Sequence, residues 1–204
     1  MVMQKSRIQT INRQKVLDAG TEVFAKYGFR GSTIDQVAEM AEMSKPNLLY
    51  YFKTKKEIYL AVLEQILNKW LICLNEWQAT GNPHETITRY IEKKFEFSRD
   101  NAAGSKVFVN EMLEGAPNSK KLLGDDLKLL VNENIKTING WIKDGQIKPI
   151  EPIHLIFMIW AVTQHYADFS IQIKTLTGKT LSDDEFYESA KETATQIILN
   201  GVIN

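Results

Sequence analysis

The stretch Thr33–Lys56, TIDQVAEMAEMSKPNLLYYFKTKK, decides the fold. Thr33 is placed to cap a helix, and Gln36 three residues on closes a capping box. Ile34, Val37, Ala38 and Ala41 then recur at helical spacing and give that helix one apolar face. The pattern breaks after Ala41, and Ser44 offers a second N-cap. A helix from Lys45 to Phe52 follows, apolar at Leu48, Leu49 and Phe52, which leaves Lys45, Asn47, Tyr50 and Tyr51 to its other faces. Thr54 and Glu57 form a further capping box, opening a longer helix. Two short helices joined by a tight turn make a helix-turn-helix, whose second helix can enter a DNA major groove.

An ordinary helical corner would share this spacing, and charge separates the two readings. Residues 1–56 carry ten Lys and Arg against five Asp and Glu, whereas the rest of the 204-residue chain carries fifteen against twenty. A chain neutral overall is thus split into a basic head and an acidic body. That asymmetry suits a phosphate-binding module mounted on a body that does not touch nucleic acid.

Around the head, helical periodicity continues throughout. Residues 1–10 read as a polar, mobile arm, with Lys5 and Arg7 available to a phosphate or the minor groove. A first helix spans about Asn12 to Tyr27, ended by Gly28 in a left-handed conformation, with Phe29 folding back on Phe24. The long helix from Lys55 to about Gln78 starts beside the head and ends in the body, as a lever would. Further helices are expected over 83–99, up to about Glu114, over 119–144 (apolar at Leu122, Leu123, Leu127 and Leu130) and over 153–173. Ser182 and Glu185 read as a capping box for a last helix ending near Asn200. No strand pattern or repeat is visible. The fold class is all-α: a three-helix head over 1–56 and a larger helical body over 57–204.

The segment Ile153–Phe169 is apolar nearly all round, so it is expected to be buried on several sides. Trp160, Gln164 and Asp168 fall at i, i+4 and i+8 along one flank. A buried glutamine needs both donor and acceptor partners. A flat neutral ligand with alternating N–H and C=O groups would supply them, with tryptophan stacked on its face; pairing with another side chain or across a subunit interface would do so equally. His165 and Asp168 at i, i+3 read as a satisfied polar pair.

Other chemistry finds little footing. No run approaches the ~20 apolar residues of a membrane span, and no apolar leader is visible, so a cytoplasmic protein is expected. The single cysteine, Cys73, reads as a small buried hydrophobe. His84, His154 and His165 lack metal-ligand spacing, and no cofactor is implied. A helical enzyme is the remote alternative: there is no Ser/His/Asp or Cys/His arrangement and no phosphate loop. The acidic pairs Asp125-Asp126 and Asp183-Asp184 fall near helix starts, where acids serve the dipole.

Phe24-x-x-x-Gly28-Phe29-x-x-x-Thr33, Val37-Ala38, Ala41, Ser44-Lys45-x-Asn47-Leu48 and Tyr50-x-Phe52-Lys53-x-Lys55 together resemble the DNA-binding head of the TetR family of bacterial regulators. Many members carry Gly in the turn where this chain has Glu42. The body, through Glu111–Pro117 and His154–Phe169, is similar to members that respond to uracil and control pyrimidine utilisation. The resemblance implies a homodimer on a palindromic double-stranded DNA operator, paired through helices over 151–174 and 182–202, and most often repression. It implies that Lys45, Asn47 and Tyr50 approach base edges from a helix capped by Ser44, while Thr33, Tyr51, Lys53 and Lys55 hold phosphates. It implies a pyrimidine-base effector at Trp70, Trp160 and Gln164, with a more hydrophobic small molecule as the alternative.

Overall fold

The computed structural model describes residues 2–75, 77, 81–120 and 127–204, with side chains from residue 7 onward. Among these residues the chain forms ten helices and no strand. They are α1 (Val2–Gly31), α2 (Ile34–Met40), α3 (Lys45–Tyr51), α4 (Lys55–Asn75), α5 (Pro83–Asp100) and α6 (Ala102–Leu113). Then come α7 (Lys128–Lys143), α8 (Pro152–Asp168), α9 (Ser170–Thr177) and α10 (Asp184–Val202).

The expected caps of the head are present. Thr33 and Gln36 satisfy each other reciprocally at α2, and Ser44 accepts from the Asn47 N–H at α3. Glu42 in the turn has φ 54°, a left-handed conformation that costs a residue with a Cβ on the order of 1 kcal/mol. Gly28 has φ 68° and ψ 174°, a backbone region open essentially to glycine. The chain bends there, and Phe29 returns to Phe24 with ring centroids 6.4 Å apart.

Several boundaries differ from the sequence expectation. The first helix begins at Val2 rather than Asn12, because residues 2–12 contain no Gly or Pro and nothing local stops it. The helix expected over 153–173 is two, α8 and α9, joined at Phe169 (φ −110°, ψ 30°). The last helix starts at Asp184 and runs to Val202; its N-cap is Asp183 rather than Ser182, and Asp183 spends its carboxylate on the Thr180 N–H. Leu122, Leu123, Asp125, Asp126 and Gln78 lie outside the described residues, and α7 is seen from Lys128.

Two apolar cores follow one another along α4. The first joins α1, α2 and α3 to Ile58–Trp70 of α4, with Phe97, Val107 and Phe108 closing it from the body. The second begins at Cys73 and Leu74 of α4 and takes in α5, α7, α8 and α10. One helix therefore belongs to both cores, and the handover falls between Trp70 and Cys73. Asn134 of α7, fully buried, donates to the Leu74 carbonyl and satisfies one of the orphan acceptors at the end of α4.

α1 and α4 approach closely at Gly20, where an added Cβ would lie 3.0 Å from Ile58 Cγ2 and 3.4 Å from Val62 Cγ2. Glycine inside a helix costs roughly 0.5–1 kcal/mol relative to alanine, and the close approach is what it permits. Gly20→Val is expected to destabilise the chain by about 2 kcal/mol through overpacking. A urea-unfolding midpoint equal to that of the parent would contradict this packing.

Candidate functional site

In α3 the sequence divides the helix by face. Leu48 and the capping residue Phe52 are buried, and Arg13 of α1 lies 5.0 Å above the Phe52 ring. Lys45, Asn47 and Tyr50 are exposed on the opposite side, Tyr50 by 62%. The side chains that could touch a partner are thus held by a seven-residue helix whose back is clamped in the first core.

Each expected contact residue has a definite setting. Lys45 pairs with Asp35 of α2 at 2.9 Å, an exposed bridge worth ~1 kcal/mol at most. The Tyr50 and Tyr51 rings meet edge-on at 5.1 Å, and their hydroxyls accept from Gln9 and Asn12 of α1 at 3.1 and 3.0 Å. The sequence reading missed this support from α1 because it began the helix at about Asn12, too late to carry Gln9. Exposed Lys53 donates to the Leu49 carbonyl. Thr33 stands exposed at the α2 N-terminus.

Lys55 is placed differently from the expectation. It is half-buried, donating to the carbonyls of Phe29 at 2.7 Å and Ser32 at 2.8 Å, with its ammonium 4.7 Å from the Phe29 ring centroid. Two of its three N–H donors serve the α1–α4 junction, which leaves one for a phosphate. A lysine at a helix start reads as a free charge in sequence; the carbonyls stranded beyond the Gly28 bend explain why it turns inward.

In the body, two of the three expected ligand residues, Trp70 and Trp160, touch α5. Trp70 is 5% exposed, packed against the rings of Phe97 at 5.9 Å and Phe108 at 4.3 Å, and its indole N–H is buried without an acceptor. Trp160 is half-buried and donates its N–H to the Tyr90 hydroxyl at 2.5 Å. Gln164, half-buried one turn further along α8, makes no side-chain hydrogen bond among the described residues. Trp70 and Trp160 do not touch each other among the described ring contacts; α5 lies between them.

The sequence reading missed a buried lysine of α5 that lies against Trp70. Lys94 is 2% exposed, and its ammonium sits 4.4 Å from the Trp70 ring centroid and 5.7 Å from that of Phe97. Burial lowers its pKa to about 8, partly offset by Cys73 and Asp168. Asp168 is hydrogen-bonded to Ser105 of α6 rather than to His165, whose ring instead stacks on Phe169 at 5.0 Å. Burial raises the Asp168 pKa, against the lowering effects of Ser105 and Lys94. Burial likewise raises the Tyr90 hydroxyl.

Several cavities lie elsewhere, and two of them contrast in lining. An open cleft of about 680 Å³ between α1, α4 and α6 is lined by charges of both signs, including Glu22, Lys69, Arg99 and Lys106. A cavity of about 280 Å³ between α8 and α10 is almost wholly apolar, lined by Leu155, Met158 and Ile197 among others. No group of three or more His, Cys, Asp or Glu could hold a metal among the described residues, and no helix there is long and apolar enough to cross a membrane.

A capped helix exposed on a basic head, sharing one long helix with a body that buries polar groups, defines a helix-turn-helix regulator. The chain belongs to the TetR family. Residues 16–62 match the family described as bacterial regulatory proteins, tetR family, and residues 63–204 match the YcdC-like protein, C-terminal region. Over 199 residues it is 44% identical to the HTH-type transcriptional regulator RutR of Escherichia coli K12, covering 98% of this chain and 94% of that one. A TetR family transcription regulator from Marinobacter aquaeolei VT8 superposes with TM-score 0.72 at 16% identity, covering 100% of both chains. The ketosteroid transcriptional regulator KstR2 of Mycobacterium tuberculosis gives 0.70 at 20% identity, covering 94% of this chain and 95% of that one. These two likenesses concern the fold alone. The chain is a DNA-binding, ligand-responsive transcriptional regulator, not an enzyme.

Proposed function

We propose that the chain is a cytoplasmic repressor that binds a palindromic operator as a homodimer and responds to a pyrimidine base such as uracil. Residues 1–56 act as the reader and 57–204 as the receptor and dimerisation unit. From α3, capped by Ser44, Lys45, Asn47 and Tyr50 approach base edges; Thr33, Tyr51 and Lys53 hold phosphates, with Lys55 adding its third N–H from behind. α8 and α10 pair across a two-fold axis, and the exposed Phe157, Met158 and Ile197 on them support this.

The observation that supports the effector reading is the unpaired indole N–H of Trp70, buried against α5 and α6, with Gln164 of α8 making no side-chain hydrogen bond among the described residues. Leaving such a donor buried without an acceptor costs about 1–3 kcal/mol, and a small planar molecule with carbonyl oxygens would satisfy it. A purely apolar effector would not. Calorimetry with uracil and thymine on the parent and on Gln164→Ala tests this. Uracil is expected to bind the parent and to lose roughly tenfold or more on the variant. Absence of heat with either base on the parent removes the pyrimidine reading.

A further inference from the structure

A lysine buried to 2% exposure with neither a hydrogen bond nor an ion pair among the described residues is a costly arrangement. Lys94 has this setting. Its ammonium rests on aromatic faces, which attract a cation but fill none of its three donor directions. Beside it the Trp70 N–H is a second buried donor without an acceptor. An ammonium without a hydrogen bond and an orphaned indole N–H at one place call for acceptor oxygens that the described residues do not supply.

The packing of α5 on α8 shows what faces them. Tyr90 bonds Trp160, and Phe95 meets Tyr166 at 5.5 Å, so the helices advance together and the turn between those contacts carries Lys94 and Gln164. One turn on, Asp168 is tied to Ser105, close enough to Lys94 to influence its charge without bonding it. The neighbourhood thus offers donors from Lys94 and Trp70, both from Gln164, and an acceptor from Asp168. A C(=O)–N–H edge meets that pattern.

We infer that Lys94 is a specificity-determining residue, donating to a ring carbonyl oxygen of the effector so that the chain accepts a dioxo pyrimidine and rejects one with an amino group there. The inference rests on the pyrimidine reading above. An amino group would set donor against donor, and a site built to donate rejects such an analogue by a large factor. The ordinary lysine charge is already weakened by burial, to a pKa of about 8, so an accepting oxygen both fills the donor and favours the ammonium.

The test is calorimetry on the full chain with uracil, thymine and cytosine, for the parent, Lys94→Met and Lys94→Gln, each checked by thermal melting. The parent is expected to bind uracil and to bind cytosine at least about 100-fold more weakly. Lys94→Met, which fills the same space without a donor, is expected to lose roughly 30-fold or more for uracil. Lys94→Gln can turn its carbonyl toward an amino group, so its uracil-to-cytosine ratio is expected to narrow to within about tenfold. If the parent binds uracil and Lys94→Met matches it within about threefold, or if the parent takes cytosine as tightly as uracil, the role of Lys94 is overturned while the pyrimidine reading stands. Failure of the parent to bind any of the three overturns both.

Discussion

Glu111→Ala is expected to destabilise the chain by about 3–5 kcal/mol, the largest loss among single substitutions of a polar residue here. Glu111 in α6 is 1% exposed, and its carboxylate accepts from three donors: the Tyr59 hydroxyl at 3.0 Å, the Asn118 N–H at 2.6 Å and the Asn118 side-chain amide at 3.2 Å. Truncation strands all three, and a buried unsatisfied donor costs about 1–3 kcal/mol. The effect reaches beyond α6. Tyr59 packs on Phe24 at 5.0 Å and on Phe29 at 4.7 Å, so the carboxylate orients the ring that fills the corner beneath the Gly28 bend. Urea unfolding reads the loss as a lower midpoint at unchanged slope. An unchanged midpoint would mean that the carboxylate does not anchor this corner.

The double substitution Lys45→Ala with Asn47→Ala is expected to weaken specific operator binding at least about 100-fold, since each contact to a base edge is worth about 1–3 kcal/mol. The fold should tolerate it. Both side chains are exposed, and the Lys45–Asp35 bridge is too solvated to matter much to stability. Fluorescence anisotropy with an operator selected from a random pool, and with a scrambled duplex of equal length, separates the possible roles. Loss confined to the operator assigns base reading. Equal loss on both duplexes, with a shallower salt dependence, moves the two residues to the phosphates. No loss on either removes them from the interface.

What could be read in advance follows from how local each signal is. The caps at Thr33 and Ser44 and the glycine at 28 depend on residues within four positions, and the structure has all of them. The start of α1 was misplaced because polarity was read as disorder, although the segment contains no residue that breaks a helix. The kink at Phe169 coincides with Asp168 turning to Ser105, a partner 63 positions away that no periodicity reveals. Lys55 was misread, and Lys94 overlooked, for the same reason. Lysine in an amphipathic helix reads as solvated, yet one is drawn to the carbonyls beyond α1 and the other lies beneath two aromatic rings. The exposed face of α3 was therefore legible from sequence. In the body, Trp70, Trp160 and Gln164 came from resemblance, and the α5 side that faces them needed the tertiary packing.

The central claim is that a reader in the head and a receptor in the body share one helix, α4, and so bias each other. The direct measurement is the affinity of the full chain for its selected operator with and without saturating uracil, paired with uracil affinity for the free and DNA-bound chain. Coupling must be reciprocal, so both affinities should change by the same factor, about tenfold or more. Operator affinity that is identical with and without bound uracil would contradict the account.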